Sequence, residues 1–300
     1  MITAPVIAAV DGSDDSLRAL DWAVDAARRH AAPLRVVHAR QYVPWAQPEV
    51  LIAGPREPDD DPVLDLVRHR LAGHTGDLAV DCVAPAGPPA VLLPELSSEA
   101  QLLVMGSRGR GGFASLLLGS NGMAAARDAD CPVVVVPQPG REVHGEVPDG
   151  PGPRVVVGLS VDGPDEAALA FAFDEAALLG ARVQVIAAYP WPVTGLGGPG
   201  ALVPPGVDQD AIEEETRALA EGLLAPHRKA NPDVLSEVHA LPGDAAGRIV
   251  AASRDAELVV VGRHRRRLLA PARMTGSVTQ AVLLHAASPV AVVPPSAEEK

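Results

Sequence analysis

Two glycine-bearing segments and one acidic turn hold the residue types from which a phosphate site is built. Gly106-Ser-Arg-Gly109 is followed, after nine residues, by Gly119-Ser120. Glycine lets a backbone turn tightly and approach an anion with no side chain in the way. Free N–H groups at a helix start point toward such an anion, and the helix dipole favours its charge. The Ser120 hydroxyl adds a donor, and Arg108 or Arg110 supplies positive charge. The pattern is not the lysine-bearing phosphate loop, since no Gly-Lys-Ser/Thr occurs. A carboxylate, Asp11, opens Asp11-Gly-Ser-Asp14, where a turn or helix N-cap role competes with a ligand role. For Gly106 and Gly109 the competing reading is a tight strand-to-helix turn that holds no ligand.

These residues need a frame, and the chain supplies it twice. Ala100-Gln-Leu-Leu-Val-Met-Gly106 matches Ala256-Glu-Leu-Val-Val-Val-Gly262, and Cys131-Pro-Val-Val-Val-Val-Pro137 matches Ser288-Pro-Val-Ala-Val-Val-Pro294. Gly87 and Gly243 keep the 156-residue spacing of Gly106 and Gly262. A register held across separate elements marks a duplicated unit. In the first copy, Val6 to Val10, Leu34 to Ala39, Leu78 to Ala84, Leu102 to Met105 and Val133 to Val136 read as strands. Helices are predicted between them over Asp14 to His30, Pro62 to Gly73, Pro88 to Ser98 and Ser120 to Ala129. Leu17, Leu20, Trp22, Val24 and Ala27 recur near helical spacing in the first of these. Strands rich in valine, alternating with amphipathic helices, predict an α/β fold: two repeated doubly wound domains, each a five-stranded parallel sheet flanked by helices. The expected domains are residues 1–138 and 154–296, joined by a linker rich in Pro, Gly and charge over 139–153. Ligands of such sheets lie beyond the carboxyl ends of the strands, near the point where strand order reverses. That directs attention to Asp11, Ala39 and Gly106.

Composition narrows the partners. With 300 residues two domains are the natural division, and 47% hydrophobic content allows each its own core. Aromatic residues are only 3% and the formal charge is −13, which argues against nucleic acid, since its binders need stacking platforms or a positive field. Residues 1–140 carry 17 acidic against 11 basic residues and the remainder 21 against 14, so the acidity is shared and not housed in a tail. Cys82 and Cys131 do not form a spaced metal or disulfide framework. No 18-residue apolar run and no secretory leader is apparent, so a cytoplasmic protein without a membrane partner is expected.

The chain resembles the universal stress protein family, in its tandem two-domain form, over nearly its whole length. The carriers are Val10-Asp11-Gly12-Ser13, Val36-Val37-His38-Ala39, Gly106-Ser-Arg-Gly-Arg-Gly-Gly-Phe113 with Leu116-Leu-Leu-Gly-Ser120, and Cys131-Pro-Val-Val-Val-Val-Pro137. The resemblance implies an adenine-nucleotide α-hydrolase-like fold that binds ATP, with magnesium as the companion ion. By position it implies that Ala9, Val10 and Asp11 line the nucleoside, Asp11 holding ribose hydroxyls or helping the metal. Ala39 would meet adenine through its backbone, and Met105, Gly106, Gly109, Gly119, Ser120 and the neighbouring Asn121 would hold ribose and phosphates, with Arg108 screening charge. In the family the terminal strands, here Val133 to Val136 and Val290 to Val293, pair domains. An intramolecular pseudo-two-fold arrangement is therefore expected, with a homodimer as a further step.

Departures from the family pattern bound the function. Gly119-Ser-Asn-Gly122 stands where Gly-Ser-Val-Ser/Thr is common, removing one hydroxyl that could meet phosphate. In the second copy Ser160 aligns with Asp11 and Arg265 replaces the second glycine, so a degenerate site is expected, although Asp162, two residues from the missing carboxylate, would substitute for it if the loop shifted. The Arg263 to Arg267 cluster and Asp59, Asp60 and Asp61 read as solvated loops, and His38 as structural. No nucleophile elbow or metal helix occurs, so hydrolysis is expected to be slow at most. The leading reading is a stress-response regulator that binds ATP in its N-terminal domain and acts through nucleotide-dependent conformation or an unidentified protein partner. The alternative is a nucleotide-independent dimerising scaffold.

Overall fold

A computed structural model describes residues 3–40, 61–110, 117–145, 150, 152–189, 208–263 and 276–296. The chain divides into two compact units, residues 1–138 and 139–300. In the first, the order is β1 (Val6–Ala9), α1 (Asp14–Arg29), β2 (Leu34–Val37), α2 (Pro62–Leu71), β3 (Val80–Val83), α3 (Pro89–Ser97), β4 (Leu102–Gly106), α4 (Ser120–Asp128) and β5 (Val133–Val136). The strands are parallel in the spatial order β3-β2-β1-β4-β5. Strand order therefore reverses between β1 and β4. Their register sets Ala9 beside Met105 on one side and Val37 on the other, so the segments after these strands emerge together at one edge.

Burial explains why these segments are strands. Val6, Ile7, Leu34, Val36, Leu102, Leu103, Val104 and Val134 are fully or almost fully buried, as expected of a sheet covered on both faces. Each such side chain stabilises the fold by about 1.5–3 kcal/mol relative to exposure. Helix α1 lays Ala19, Leu20, Ala23, Val24 and Ala27 on the sheet. It starts at the Ser13 cap, with Asp14 and Asp15 in its first turn and Arg28 and Arg29 in its last, charges that suit the helix dipole. The small residue at Gly106 lets α1 come close to β4: a Cβ there would lie 2.6 Å from the Asp15 carbonyl carbon.

The second unit repeats the order as β6 (Arg154–Leu159), α5 (Glu166–Leu179), β7 (Arg182–Tyr189), α6 (Gln209–Ala230), β8 (Ser236–Pro242), α7 (Ala245–Ala252), β9 (Leu258–Gly262), α8 (Ser277–His285) and β10 (Val290–Val293). Its parallel strands run β10-β9-β6-β7-β8. Residues 141–145 lie on this unit. Arg141 donates to the Leu284 and Ala286 carbonyls at 3.0 and 3.2 Å, at the end of α8, and Arg254 donates to the Val143 carbonyl at 2.6 Å. The expectations placed on Asp59 and Asp60, on most of the Pro/Gly-rich stretches near 42–62 and 190–209, and on Arg265 lie outside the described residues.

Candidate functional site

The turn after β1 is built around the Asp11 carboxylate. Its Oδ1 accepts from the Ser13 amide at 3.0 Å and the Ser13 hydroxyl at 2.6 Å, and its Oδ2 accepts from the Arg110 amide at 2.8 Å. The Ser16 hydroxyl accepts from the Asp11 amide at 3.3 Å and donates to the Ser13 carbonyl at 2.8 Å. Burial pushes the Asp11 carboxyl up, but the hydrogen bonds from Ser13, Arg110 and Ser16 outweigh it and hold the group below the usual carboxylate range. Asp11 is thus a fixed anion at neutral pH. The N-cap of α1 is Ser13, whose oxygen accepts from the Ser16 amide at 3.3 Å.

The loop after β4 closes onto this turn. A Cβ on Gly109 would lie 2.5 Å from Asp11 Oδ2, so only glycine there lets the carboxylate reach the Arg110 amide. The same loop receives the start of α4, because the Gly119 amide donates to the Ser107 carbonyl at 2.8 Å. Gly119 is the N-cap and contributes no side-chain cap. The first backbone bond of α4 runs from the Met123 amide to the Gly119 carbonyl, which leaves the Ser120, Asn121 and Gly122 amides with no partner inside the helix. Among the described residues, a Cβ on Gly119 would meet only the Ser107 carbonyl oxygen, at 3.8 Å.

Other expected site residues are placed differently. Val10 and Met105 are core side chains at 5% and 7% exposure, which leaves only their backbone for a ligand to meet. Arg108 leans on Asp15, its Nε 3.5 Å from Oδ2. Asp15 is buried and also accepts from Ser107 Oγ and Gln138 Nε2, each at 3.1 Å, and pairs with Arg18 at 2.5 Å. Arg110 lies nearer the crevice, its guanidinium 3.2 Å from where a Gly12 Cβ would stand. Ala39 follows β2. The His38 and Arg40 amides donate to the Val83 and Pro85 carbonyls at 3.0 and 2.9 Å, toward β3, while Val37 accepts from the Val10 amide at 2.9 Å, toward β1. Strand alternation therefore turns the Ala39 N–H and C=O toward the β1 side, level with Asp11.

Two groups belie their reading as solvated loops, Arg263, which is 6% exposed, and Asp61. Asp61 is not in a solvated loop; it is 2% exposed and caps α2, accepting from the Val63 and Leu64 amides at 3.0 and 3.1 Å. His38 Nδ1 lies 2.8 and 3.0 Å from its two oxygens. Burial raises the Asp61 carboxyl, and the bonds from His38, Leu64 and Val63 together lower it further than burial raises it. A buried carboxylate is tolerated when its lone pairs are filled in this way. The signal was available: an acidic residue directly before Pro62 is the pattern of an N-cap followed by proline at the first helical position.

The sequence profile of the universal stress protein family matches residues 4–137 and again 153–294. The chain belongs to the universal stress protein family. It is 33% identical over 295 residues to a universal stress protein of Mycobacterium tuberculosis strain H37Rv, covering 96% of each chain. It is 31% identical over 306 residues to one of Mycolicibacterium smegmatis, covering 97% of each. In fold it is similar to the crystal structure of a universal stress protein from Archaeoglobus fulgidus, with a TM-score of 0.65 at 18% identity and 99% coverage of both chains. Each unit thus has the adenine-nucleotide α-hydrolase-like α/β fold.

The second unit of this universal stress protein lacks the Asp11 carboxylate, though its turn carries Asp162. Val157 pairs with Val260 as Ala8 pairs with Val104, which sets Ser160 at the place of Asp11. The Asp165 side chain caps α5, accepting from the Ala168 amide at 3.0 Å, and stands where a Gly262 Cβ would be, 2.0 Å from its Oδ2. Glycine at the end of the fourth strand therefore serves helix packing in both units. Thr279, the hydroxyl residue that the first unit replaces with Gly122, donates to the Gly262 carbonyl at 2.9 Å. In this family member that hydroxyl ties a helix to its strand, so the substitution at Gly122 removes a structural bond. Among the described residues no group of three or more His, Cys, Asp or Glu side chains is arranged to hold a metal ion, and no helix is long and apolar enough to cross a membrane.

Proposed function

We propose that the first unit binds ATP, with magnesium carried on its phosphates, and that occupancy regulates a stress response by changing conformation or partner contacts. The observation that carries this reading is the meeting of three segments at the point where strand order reverses. They are the Asp11 turn, the Ser107 to Arg110 loop and the uncapped start of α4. A nucleotide has the matching parts. Its ribose hydroxyls suit a carboxylate that is ionised and half-buried, its phosphates suit the Ser120, Asn121 and Gly122 amides and the Ser120 hydroxyl, and its base suits the Ala39 backbone. Asp11 is also the carboxylate nearest at hand for the metal. Because the Arg110 amide already rests on Asp11, a ligand that competes for this carboxylate loosens the Ser107 to Arg110 loop. Occupancy then shifts the loop's equilibrium by the ligand's differential affinity and no more.

The second unit, with Ser160 in place of Asp11 and the Asp165 carboxylate at Gly262, is proposed to leave nucleotide unbound. Titration calorimetry with Mg-ATP tests the proposal on the full chain. One site per chain is expected in the wild type and none in Gly119→Asp, whose carboxylate would face the phosphates; no heat from the wild type at millimolar nucleotide would overturn it. A second reading, a nucleotide-independent scaffold, draws on Gly106 and Gly109, since both have a packing reason that needs no ligand. Protein purified from cells and denatured distinguishes the two: stoichiometric adenine nucleotide is released under the first reading and none under the second.

A further inference from the structure

The pairing of His38 with Asp61 lies beside the base side of the proposed nucleotide site and has no part in the reading above. We infer that His38 and Asp61 are positioning residues that hold the Ala39 peptide in place to discriminate adenine from guanine; this rests on the ATP reading of the first unit. Ala39 offers one N–H and one C=O toward the crevice. Such a pair matches the adenine edge, where N1 accepts and the exocyclic amine donates, and mismatches guanine held in the same orientation, where N1–H donates and O6 accepts. The match holds only while the peptide keeps its place.

On the β1 side the last bond holding β2 is that from the Val10 amide to the Val37 carbonyl, two residues before Ala39. On the β3 side the backbone is bonded through Arg40, with the Gly87 amide donating to the Arg40 carbonyl at 2.9 Å. Both sets are bonds between neighbouring strands and run in the plane of the sheet. Among the described residues the His38 imidazole adds a further tie, joining the strand end to a buried carboxylate that is fixed on α2 by two amides. His38 and Asp61 thus form a strut between the end of β2 and the start of α2.

The test measures ATP and GTP affinities by calorimetry on the full chain, for wild type, His38→Leu, His38→Asn and Asp61→Asn. Wild type should prefer ATP. In His38→Leu the preference should fall by about tenfold, through weaker ATP binding with GTP little changed, since the lost bond fixes only the base-reading peptide. His38→Asn, which keeps a donor near the place of Nδ1, should recover most of the preference. Asp61→Asn keeps the helix cap and should lower the preference to an intermediate level. A merely structural role would weaken both nucleotides alike and leave their ratio unchanged, and an unchanged ratio in the folded variants overturns the inference. Should His38→Leu fail to fold, the ratio in Asp61→Asn decides alone. A wild type that binds neither nucleotide refutes the ATP reading itself, whereas one that binds ATP with an unaltered ratio in the variants refutes only the strut.

Discussion

Three glycines of one motif should respond to alanine in three different ways, and the spread can be worked from the space around each. None of Gly106, Gly109 and Gly119 has a positive φ, so alanine is permitted by the backbone and only the surroundings decide. At Gly106 the new Cβ would meet the Asp15 carbonyl carbon at 2.6 Å, its oxygen at 2.7 Å and the Ser16 amide at 2.9 Å. These are backbone atoms of a helix packed on β1 and β4, so α1 must lift by about 1 Å and lose dispersion contact along its length. Overpacking of this kind costs about 1–3 kcal/mol, and the rigid obstacle puts Gly106→Ala at the upper end. At about 3 °C per kcal/mol for a unit of this size, the melt of the first unit should fall by about 6–9 °C. At Gly109 the obstacle is the Asp11 carboxylate at 2.5 Å, which swings away and gives up its bond to the Arg110 amide. Water replaces part of that bond, so the loss should be about 1 kcal/mol. At Gly119 the nearest atom among the described residues is at 3.8 Å, and the change to a poorer N-cap residue costs under about 1 kcal/mol. Thermal unfolding followed by circular dichroism gives the order, and hydrogen exchange of the α1 and β4 peptides assigns the loss to the first unit. Should Gly106→Ala melt within a degree of wild type, or Gly119→Ala prove the most damaging of the three, the packing argument for these glycines is wrong.

The lowered Asp11 carboxyl makes a prediction about pH. A carboxyl whose folded value lies below its ordinary 3.8 contributes stability that is complete above that value and is lost as pH falls through the folded one. The difference in urea midpoint between wild type and Asp11→Asn should thus be flat from pH 8 to 5 and close below about pH 4; a gap that persists unchanged at pH 3 would show that Asp11 is not held ionised by its neighbours. Thiol labelling gives a separate check on burial. Burial pushes the Cys131 thiol up to about 12, while Cys82, on β3, is raised less and lies partly open. At pH 8, iodoacetamide should modify Cys82 slowly and Cys131 only after unfolding, read by mass spectrometry; prompt labelling of Cys131 in the native protein would contradict its core position.

Much of the site's frame was legible without coordinates because it rests on local patterns. Valine-rich runs followed by capped amphipathic stretches announce parallel strands and their helices, and the predicted and observed elements of the first unit differ mainly by a residue or two at their ends. Strand Leu34–Val37 is shorter than the expected Leu34 to Ala39, since pairing with β1 ends at Val37 while the bonds toward β3 run on to Arg40. The duplication was legible too, as spacing is a property of the chain alone. Local pattern was misleading at Asp61, where an acidic run suggests solvent, because burial depends on what a distant segment brings to the carboxylate. His38 is 23 residues away, and nothing in either segment announces the other.

The residue types thus determined by themselves the α/β class, the repeat and the edge at which Asp11, Ala39 and Gly106 gather, since strand direction and helix starts follow from short-range propensity and pattern. Which groups occupy one another was decided only by the tertiary structure. It set the Arg110 amide on Asp11, leaned Arg108 on the buried Asp15, and packed α1 on Gly106. The physical reason is that a hydrogen bond or a close contact is a condition on distance between two surfaces. Segments 99 residues apart, such as Asp11 and Arg110, meet it only once the sheet has fixed both ends.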